Sequence, residues 1–393
     1  MSNKSTPRAE IESTQVISMG PNRSNCWGTL VRRRNGELLY VCSGGREAHI
    51  CPFGRSEFMR SSDEGRTWSY PRVLLDGPLD NRDCGVLETD KGTLLVSTFT
   101  SIGYQSRLAW AEGVDAGDEL AWSKEKLERW RAADRQASAA DRELQLGSFL
   151  LRSNDGGTSW SAPYRCPVNS PHGPIQLSGG RQLYAGKIFW FGGSGQDEGR
   201  IGVCESTDDG ITWRWLAEIP PRPGDSLGGY SELHAVETVE GGIVAHIRND
   251  NSANQQETLQ SESSDGGRTW STPHPIGVWG LPSHLLRLRD GRLVMSYSHR
   301  RQPLGNQARV SKDHGRTWSD ALIISGDGTS IDIGYPSTVE LDDGSLLTVW
   351  YELMGSVPED FTHYLKNGLD EKWFKMTENV PRAVLRQARW SIR

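Results

Sequence analysis

The same eight-residue phrase returns five times along the chain. It reads "SSDEGRTW" from residue 61, "SNDGGTSW" from 153, "STDDGITW" from 206, "SSDGGRTW" from 263 and "SKDHGRTW" from 311. Self-similarity of this kind bounds the fold before any single element is assigned. The aspartates stand at 63, 155, 208, 265 and 313, so the spacings are 92, 53, 57 and 48 residues. A unit of roughly 50 residues is the size of one four-stranded propeller blade. The phrase also has a mechanical reading. Its Asp side chain accepts hydrogen bonds from backbone a few residues on and fixes a tight turn. Its Gly adopts a backbone conformation that other residues resist. Thr and Trp then start a strand, with the indole packed between sheets. Five aspartates on five separate blades cannot converge on one ligand, so the repeat is scaffold.

A second pattern lies upstream of each copy: an apolar strand, a Gly-bearing turn and another strand. "WGTLVRRRNGELLYVCSG", "DCGVLETDKGTLLVSTFT", "PIQLSGGRQLYAGKIFW", "HAVETVEGGIVAHIR", "HLLRLRDGRLVMSYSHR" and "STVELDDGSLLTVWYE" are six such hairpins, with turns such as Asp290-Gly291 and Asp343-Gly344. The sixth has no motif after it. The expected fold is therefore all-β: one six-bladed β-propeller of four-stranded antiparallel blades spanning residues 1–393. The strand around Ile11–Met19 is expected to close blade six beside "AVLRQARWSI", which ties the chain ends together and removes free edges. The long gap of 92 falls on residues 113–146, rich in Ala, Glu, Lys, Arg and Leu, with Leu120, Leu127 and Trp130 near helical spacing. A helical insertion in blade two is expected there, acting as a lid, an oligomer contact or a solvated decoration.

Charge narrows the partners. The formal net charge is −6 with acids and bases interspersed, which argues against nucleic acid as the main ligand. No run of about 18 apolar residues is present to span a membrane, and "MSNKSTPRAEIEST" lacks the apolar core of a signal peptide. A cytoplasmic location is the expectation. The six cysteines (26, 42, 51, 84, 166, 204) contain no CxxC pair, so buried free thiols are expected rather than a zinc site. No metal or cofactor is expected.

Topology says where chemistry sits. In a propeller, first-strand starts and second-strand ends share one face, and the Asp motifs lie on the other. The residues gathered on the first face are Asn25, Cys26, Trp27, Arg46, Glu47 and His49 from blade one, and Asn81, Arg82 and Asp83 from blade two. Blade three adds His172, Lys187 and Trp190. Blade four adds Tyr230, Glu232, His234, Arg248 and Asp250. Blades five and six add His284, His299, Arg300, Arg301, Asp332, Tyr335, Tyr351 and Glu352. Several arginines and histidines converging on one mouth are costly without an anion to bind. A guanidinium grips a carboxylate through two parallel hydrogen bonds, so an acidic sugar fits.

The repeat Ser-x-Asp-x-Gly-x-Thr-Trp resembles the Asp box of the sialidase superfamily over nearly the whole chain. "YSELHAVETVEGGIVAHIRND" is similar to the sialidase segment that supplies a glutamate on one strand and an arginine at the end of the next, which maps to Glu232 and Arg248. "GYPSTVELDDGSLLTVWYE" is similar to the segment with the tyrosine nucleophile, which maps to Tyr335. "SHRR" is placed like the segment with another carboxylate-binding arginine, Arg300 or Arg301. The resemblance implies an exo-acting hydrolase of terminal acidic sugars. Tyrosine is a poor nucleophile at its free pKa near 10, and a glutamate that takes its proton activates it. Sialidases depart in this way from the two-carboxylate scheme.

Two positions depart from the family pattern. "NCWGTLV" puts Cys26 where the first arginine of the carboxylate-binding triad belongs. The loop "GREAHICPFGRSEF" contains no aspartate where the family carries its acid/base residue, which leaves His49 and Glu47 as proton donors. Arg46 and Arg82 are candidates for the missing arginine, and Asp83, His172 and His284 for further substrate contacts. "LPSHLLRLRDGRLVMSYSHRR" and "DIGYPSTVELDDGSLLTVWYE" also resemble sialidase-like propellers acting on rhamnose linked to glucuronate, some hydrolases and some lyases. There a histidine removes or delivers the proton. A glycan-binding propeller without catalysis is the third class.

Overall fold

The structure, a computed structural model, describes residues 7–18, 24–118, 120–189, 199–353 and 383–393. Six four-stranded antiparallel sheets are arranged as blades, each numbered from the axis outward. Their innermost strands are Ser24–Arg32, Asp80–Glu88, Ile175–Gln176, Tyr230–Glu237, Ser283–Arg287 and Ile333–Glu340. Blades one to five each use four consecutive strands of the chain. Blade six takes Ile333–Glu340, Leu346–Leu353 and Ala383–Ile392, and is completed by Ala9–Ser18 as its outer strand. Ala9 pairs with Ile392 and Ser18 with Leu385. The expected closure is therefore present as far as Ser18, and Met19 lies outside the described residues. The second-strand segments, such as Leu38–Cys42 and Leu293–Tyr297, are buried throughout. They read as near-continuous apolar runs because neighbouring blades cover both of their faces.

The repeated phrase forms the turn between the third and fourth strands of blades one to five. In every copy the first Ser donates to the Asp carboxylate and accepts the N–H of the Gly two residues beyond it, at 2.7–2.9 Å. That Gly has φ between 80° and 88° in all five copies, a region costly for any side chain. The turn also joins the blades. Carbonyls of the five boxes accept hydrogen bonds from the preceding blade: Gly65 from Gln387, Gly156 from Arg60, Asp209 from Arg152, Gly266 from Arg181 and Gly315 from Gln260. Each phrase therefore closes its own hairpin and fastens it to its neighbour.

The insertion in blade two is helical and lies between Leu94–Ser101 and Ser148–Ser153. It begins earlier than the composition suggests. Helix α1 spans Tyr104–Gly113, α2 Lys124–Asp134 and α3 Ala139–Gln145. Tyr104, Leu108 and Ala111 of α1 bury one face together with Trp122 and Trp130 against Ala48 and Cys51. Burial of one large side chain stabilises by roughly 1.5–3 kcal/mol, so this aromatic cluster fixes the insertion onto the loop after the second strand of blade one. All six cysteines are buried free thiols. Among the described residues no helix is long and apolar enough to cross a membrane.

Candidate active site

Four innermost strands carry the same defect at the same place. The pairing register slips between Cys26 and Thr29, Arg82 and Gly85, Ser231 and His234, and Gly334 and Ser337. Inside each slip sits a non-glycine residue at positive φ: Trp27 at 48°, Asp83 at 41°, Glu232 at 50° and Tyr335 at 54°. A bulge re-aims one side chain at the cost of local strain, of order 1–3 kcal/mol each, and such strain gathers at functional sites. Blades one, two, four and six thus each turn one side chain into the mouth.

The mouth encloses a cavity of about 410 Å³ lined by residues of all six blades. The Tyr335 hydroxyl donates to Glu232 Oε1 at 2.5 Å. Arg248 Nη1 reaches both oxygens of Glu232 at 3.0 Å, and its Nε donates to Asp250 at 2.9 Å. On the blade-six side, Asp332 accepts from Tyr351 at 2.6 Å and pairs with His49 Nδ1 at 3.2 Å. Arg300 lines the cavity and donates through Nε to the Ile333 carbonyl at 3.2 Å. Among the described residues Arg300 has no carboxylate partner. Phe99 and Phe189 stack at 5.3 Å and make the opposite wall apolar.

Burial and neighbouring charge set the protonation states. Burial and the Glu232 carboxylate raise Tyr335 well above the ordinary phenol range, so it rests as a phenol with Glu232 as its acceptor. Arg248 stays charged despite burial because Glu232 and Asp250 flank it. Burial alone would raise Asp332, yet His49 and the Tyr351 hydroxyl hold it at about 2. It is a carboxylate, so His49 Nδ1 carries the proton of that bond. Burial lowers the His49 pKa and outweighs the opposing pull of Asp332.

Of the residues expected from sequence, Trp27, His49, Arg82, Asp83, Glu232, Arg248, Asp250, Arg300, Asp332, Tyr335 and Tyr351 meet in this cavity. Arg301 lies beside it, its guanidinium over the Trp279 ring at 4.3 Å, in an adjoining pocket that also touches Arg248 and Arg300. Four expectations are corrected. Arg46 does not reach the mouth. It is 0% exposed, bound to both Asp80 oxygens at 2.6 and 2.8 Å and stacked under Trp27. Glu47 turns to the insertion, accepting from Trp130 Nε1 at 2.8 Å and pairing with Arg129 at 2.7 Å. His172 and His284 are buried with His234 below the cavity, their rings 4.6–5.3 Å apart. His234 and His284 link blades: the Leu285 N–H donates to His234, and the Thr338 N–H to His284.

Trp190 lies outside the described residues. Phe99, Asn169 and Phe189 were not anticipated. Phe99 sits near the end of the second strand of blade two, on the face that second-strand ends share with the mouth, but its apolar side chain carries no chemical signal. Cys26 is buried, and its neighbour Trp27 lines the cavity with Arg82 stacked on its ring at 4.3 Å.

Fold and mouth together define a six-bladed propeller with an acid-, base- and cation-lined cavity at one end of its axis. Residues 135–348 match the BNR repeat-like domain, and the chain belongs to that family of sialidase-like propellers. It is 25% identical over 199 residues to a sialidase from Micromonospora viridifaciens; the match covers 44% of this chain and 31% of that protein, under a third of its length. A protein of unknown function from Dyadobacter fermentans superposes with a TM-score of 0.72 at 21% identity, over 98% of this chain and 99% of that one. The intramolecular trans-sialidase of Ruminococcus gnavus, in complex with oseltamivir carboxylate, superposes at 0.60 with 14% identity, over 98% and 97%. At these identities the structural likeness is one of fold.

Proposed function

We propose that the chain is an exo-acting glycoside hydrolase of sialidase type that removes a terminal acidic sugar. The observation that carries this reading is the buried Tyr335–Glu232–Arg248 relay, facing an arginine with no carboxylate partner among the described residues. The Arg300 guanidinium takes the sugar carboxylate, a charge-assisted pairing. Glu232 accepts the Tyr335 proton while the phenol oxygen attacks the anomeric carbon, and Arg248 stabilises Glu232 before transfer. An uncharged phenol approaches an anionic sugar without the repulsion a carboxylate nucleophile would meet. The relatives named as a sialidase and a trans-sialidase support an α-sialoside as the first substrate to test.

A second reading, a lyase acting on a uronate, rests on the His49–Asp332 pair. A cavity-lining imidazole whose Nδ1 is paired with a carboxylate, and whose charged form is disfavoured by burial, is suited to remove a carbon-bound proton.

The experiment is turnover of 4-methylumbelliferyl α-sialoside and of rhamnosyl-glucuronate, with the products separated. Release of free sugar without an unsaturated uronate supports the hydrolase, and appearance of a 4,5-unsaturated uronate supports the lyase. Tyr335→Phe and Glu232→Gln are each expected to lower kcat by at least about 100-fold. Full turnover in both variants would remove the assignment.

A further inference from the structure

The cavity holds four carboxyl groups, and three of them are engaged. Glu232 receives Tyr335 and Arg248, Asp250 pairs with Arg248, and Asp332 binds His49 and Tyr351. Asp83 is different. It lines the cavity, is 7% exposed, and among the described residues its carboxyl makes no hydrogen bond or ion pair. Its backbone is bent to φ 41° by a bulge of the same kind as those that aim Tyr335 and Glu232. A strained, nearly buried and unengaged carboxyl is costly to the fold unless its state is used.

We propose that Asp83 is the general acid/base of the reaction, taking the role left open by the loop "GREAHICPFGRSEF". The proposal rests on the hydrolase reading above. In the first step the Tyr335 oxygen bonds to the anomeric carbon as the glycosidic C–O bond breaks. The Tyr335 proton passes to Glu232, and the Asp83 proton passes to the leaving oxygen. In the second step a water oxygen replaces Tyr335 at the anomeric carbon. Asp83 takes the water proton, and Glu232 returns its own to Tyr335, so both groups end as they began.

Several features prepare Asp83 for this. Burial raises it to about 7, with Arg82 and Arg46 pulling it down and Glu232 and Asp80 pushing it up. Tyr335, Tyr184 and Cys84 also face it and are neutral at that pH, because burial raises all three. A carboxyl that titrates near the working pH is matched to both donating and accepting. Arg300 stands on blade five, across the ring from blade two, so the cation that holds the substrate does not drain the acid. His49 lacks this fit, because Nδ1 is committed to Asp332 and its charged form is disfavoured by burial.

Asp83→Asn preserves shape, and Asn tolerates positive φ, so the fold is kept. Cleavage of an α-sialoside with a lactose leaving group is expected to fall about 100- to 10,000-fold. With 4-nitrophenol, which needs no proton, the loss stays within about tenfold, and the alkaline limb of kcat/KM near pH 7 disappears. Equal losses on both leaving groups, or a persisting limb, would overturn the proposal. A second measurement does not depend on the substrate. Carboxyl carbon-13 NMR of aspartate-labelled protein should show one resonance titrating near pH 7 that Asp83→Asn removes. A carboxyl fully ionised by pH 5 would overturn the assignment. If wild-type protein cleaves neither sialoside, the hydrolase reading fails, and the resonance still decides whether the mouth holds a protonated Asp83.

Discussion

Arg300 and Arg301 are adjacent in sequence, and nothing in "SHRR" chooses between them. The structure separates them by direction: Arg300 enters the main cavity, while Arg301 covers Trp279 on the rim. Arg300→Ala is therefore expected to raise KM for a sialoside about 10- to 100-fold, the worth of one hydrogen bond to a charged group, and Arg301→Ala to change it less than about threefold. Steady-state kinetics on the two variants checks this, and a larger effect at Arg301 would reverse the roles. Tyr335, Glu232 and Arg248 were legible because each belongs to a recognisable segment. Glu232 and His234 are two apart, so a regular strand would send both to one side. The slip between Ser231 and His234 breaks that alternation, sending Glu232 to the mouth and His234 into the core. A one-residue bulge has no signature in composition or period, which is why Glu232 and His234 were expected on one face.

At the scale of elements, the eight-residue turn was legible because its bonds are local. Ser, Asp, Gly and Thr satisfy one another within the phrase, so the pattern survives in sequence. Arg46 and Asp80 form an equally firm contact across 34 residues, and no spacing rule reveals it. The insertion was visible as a change of composition, but its attachment through Glu47 and Trp130 was not. These turns should act on stability alone. Ser263 is buried and its Oγ accepts the Gly267 N–H at 2.8 Å. Ser263→Ala strands that donor and should cost about 1–2 kcal/mol, read as a lower denaturation midpoint, with kcat/KM at 25 °C unchanged. A loss of kcat/KM without a loss of stability would place the turn in the site after all.

At the scale of the whole molecule, the ring brings the inner faces of its blades together, and His172, His234 and His284 meet there, fully enclosed. Burial lowers all three, His284 to about 3 and the others well below the ordinary histidine value, and their mutual proximity lowers His172 and His234 further. The sign follows directly. An unfolded histidine titrates near 6.5, so below that pH the unfolded chain binds protons that the native ring refuses. Stability is then complete above about pH 6.5 and is lost as pH falls toward the native values, by about 1.4 kcal/mol per pH unit for each imidazole. Three together make the ring acid-labile between about pH 6.5 and 4 without touching the Asp-box turns, whose Asp63, Asp155, Asp208, Asp265 and Asp313 all sit below the ordinary carboxylate value. His172 isolates the effect. Among the described residues its Nε2 has no hydrogen-bond partner, and the Thr29 hydroxyl near its Nδ1 already donates to the Pro171 carbonyl at 2.9 Å. His172→Leu should therefore leave stability at pH 8 nearly unchanged and flatten its fall between pH 6.5 and 4 by about one proton's worth. Urea midpoints measured across that range decide it, and an unchanged slope would mean that the acid sensitivity arises elsewhere in the ring.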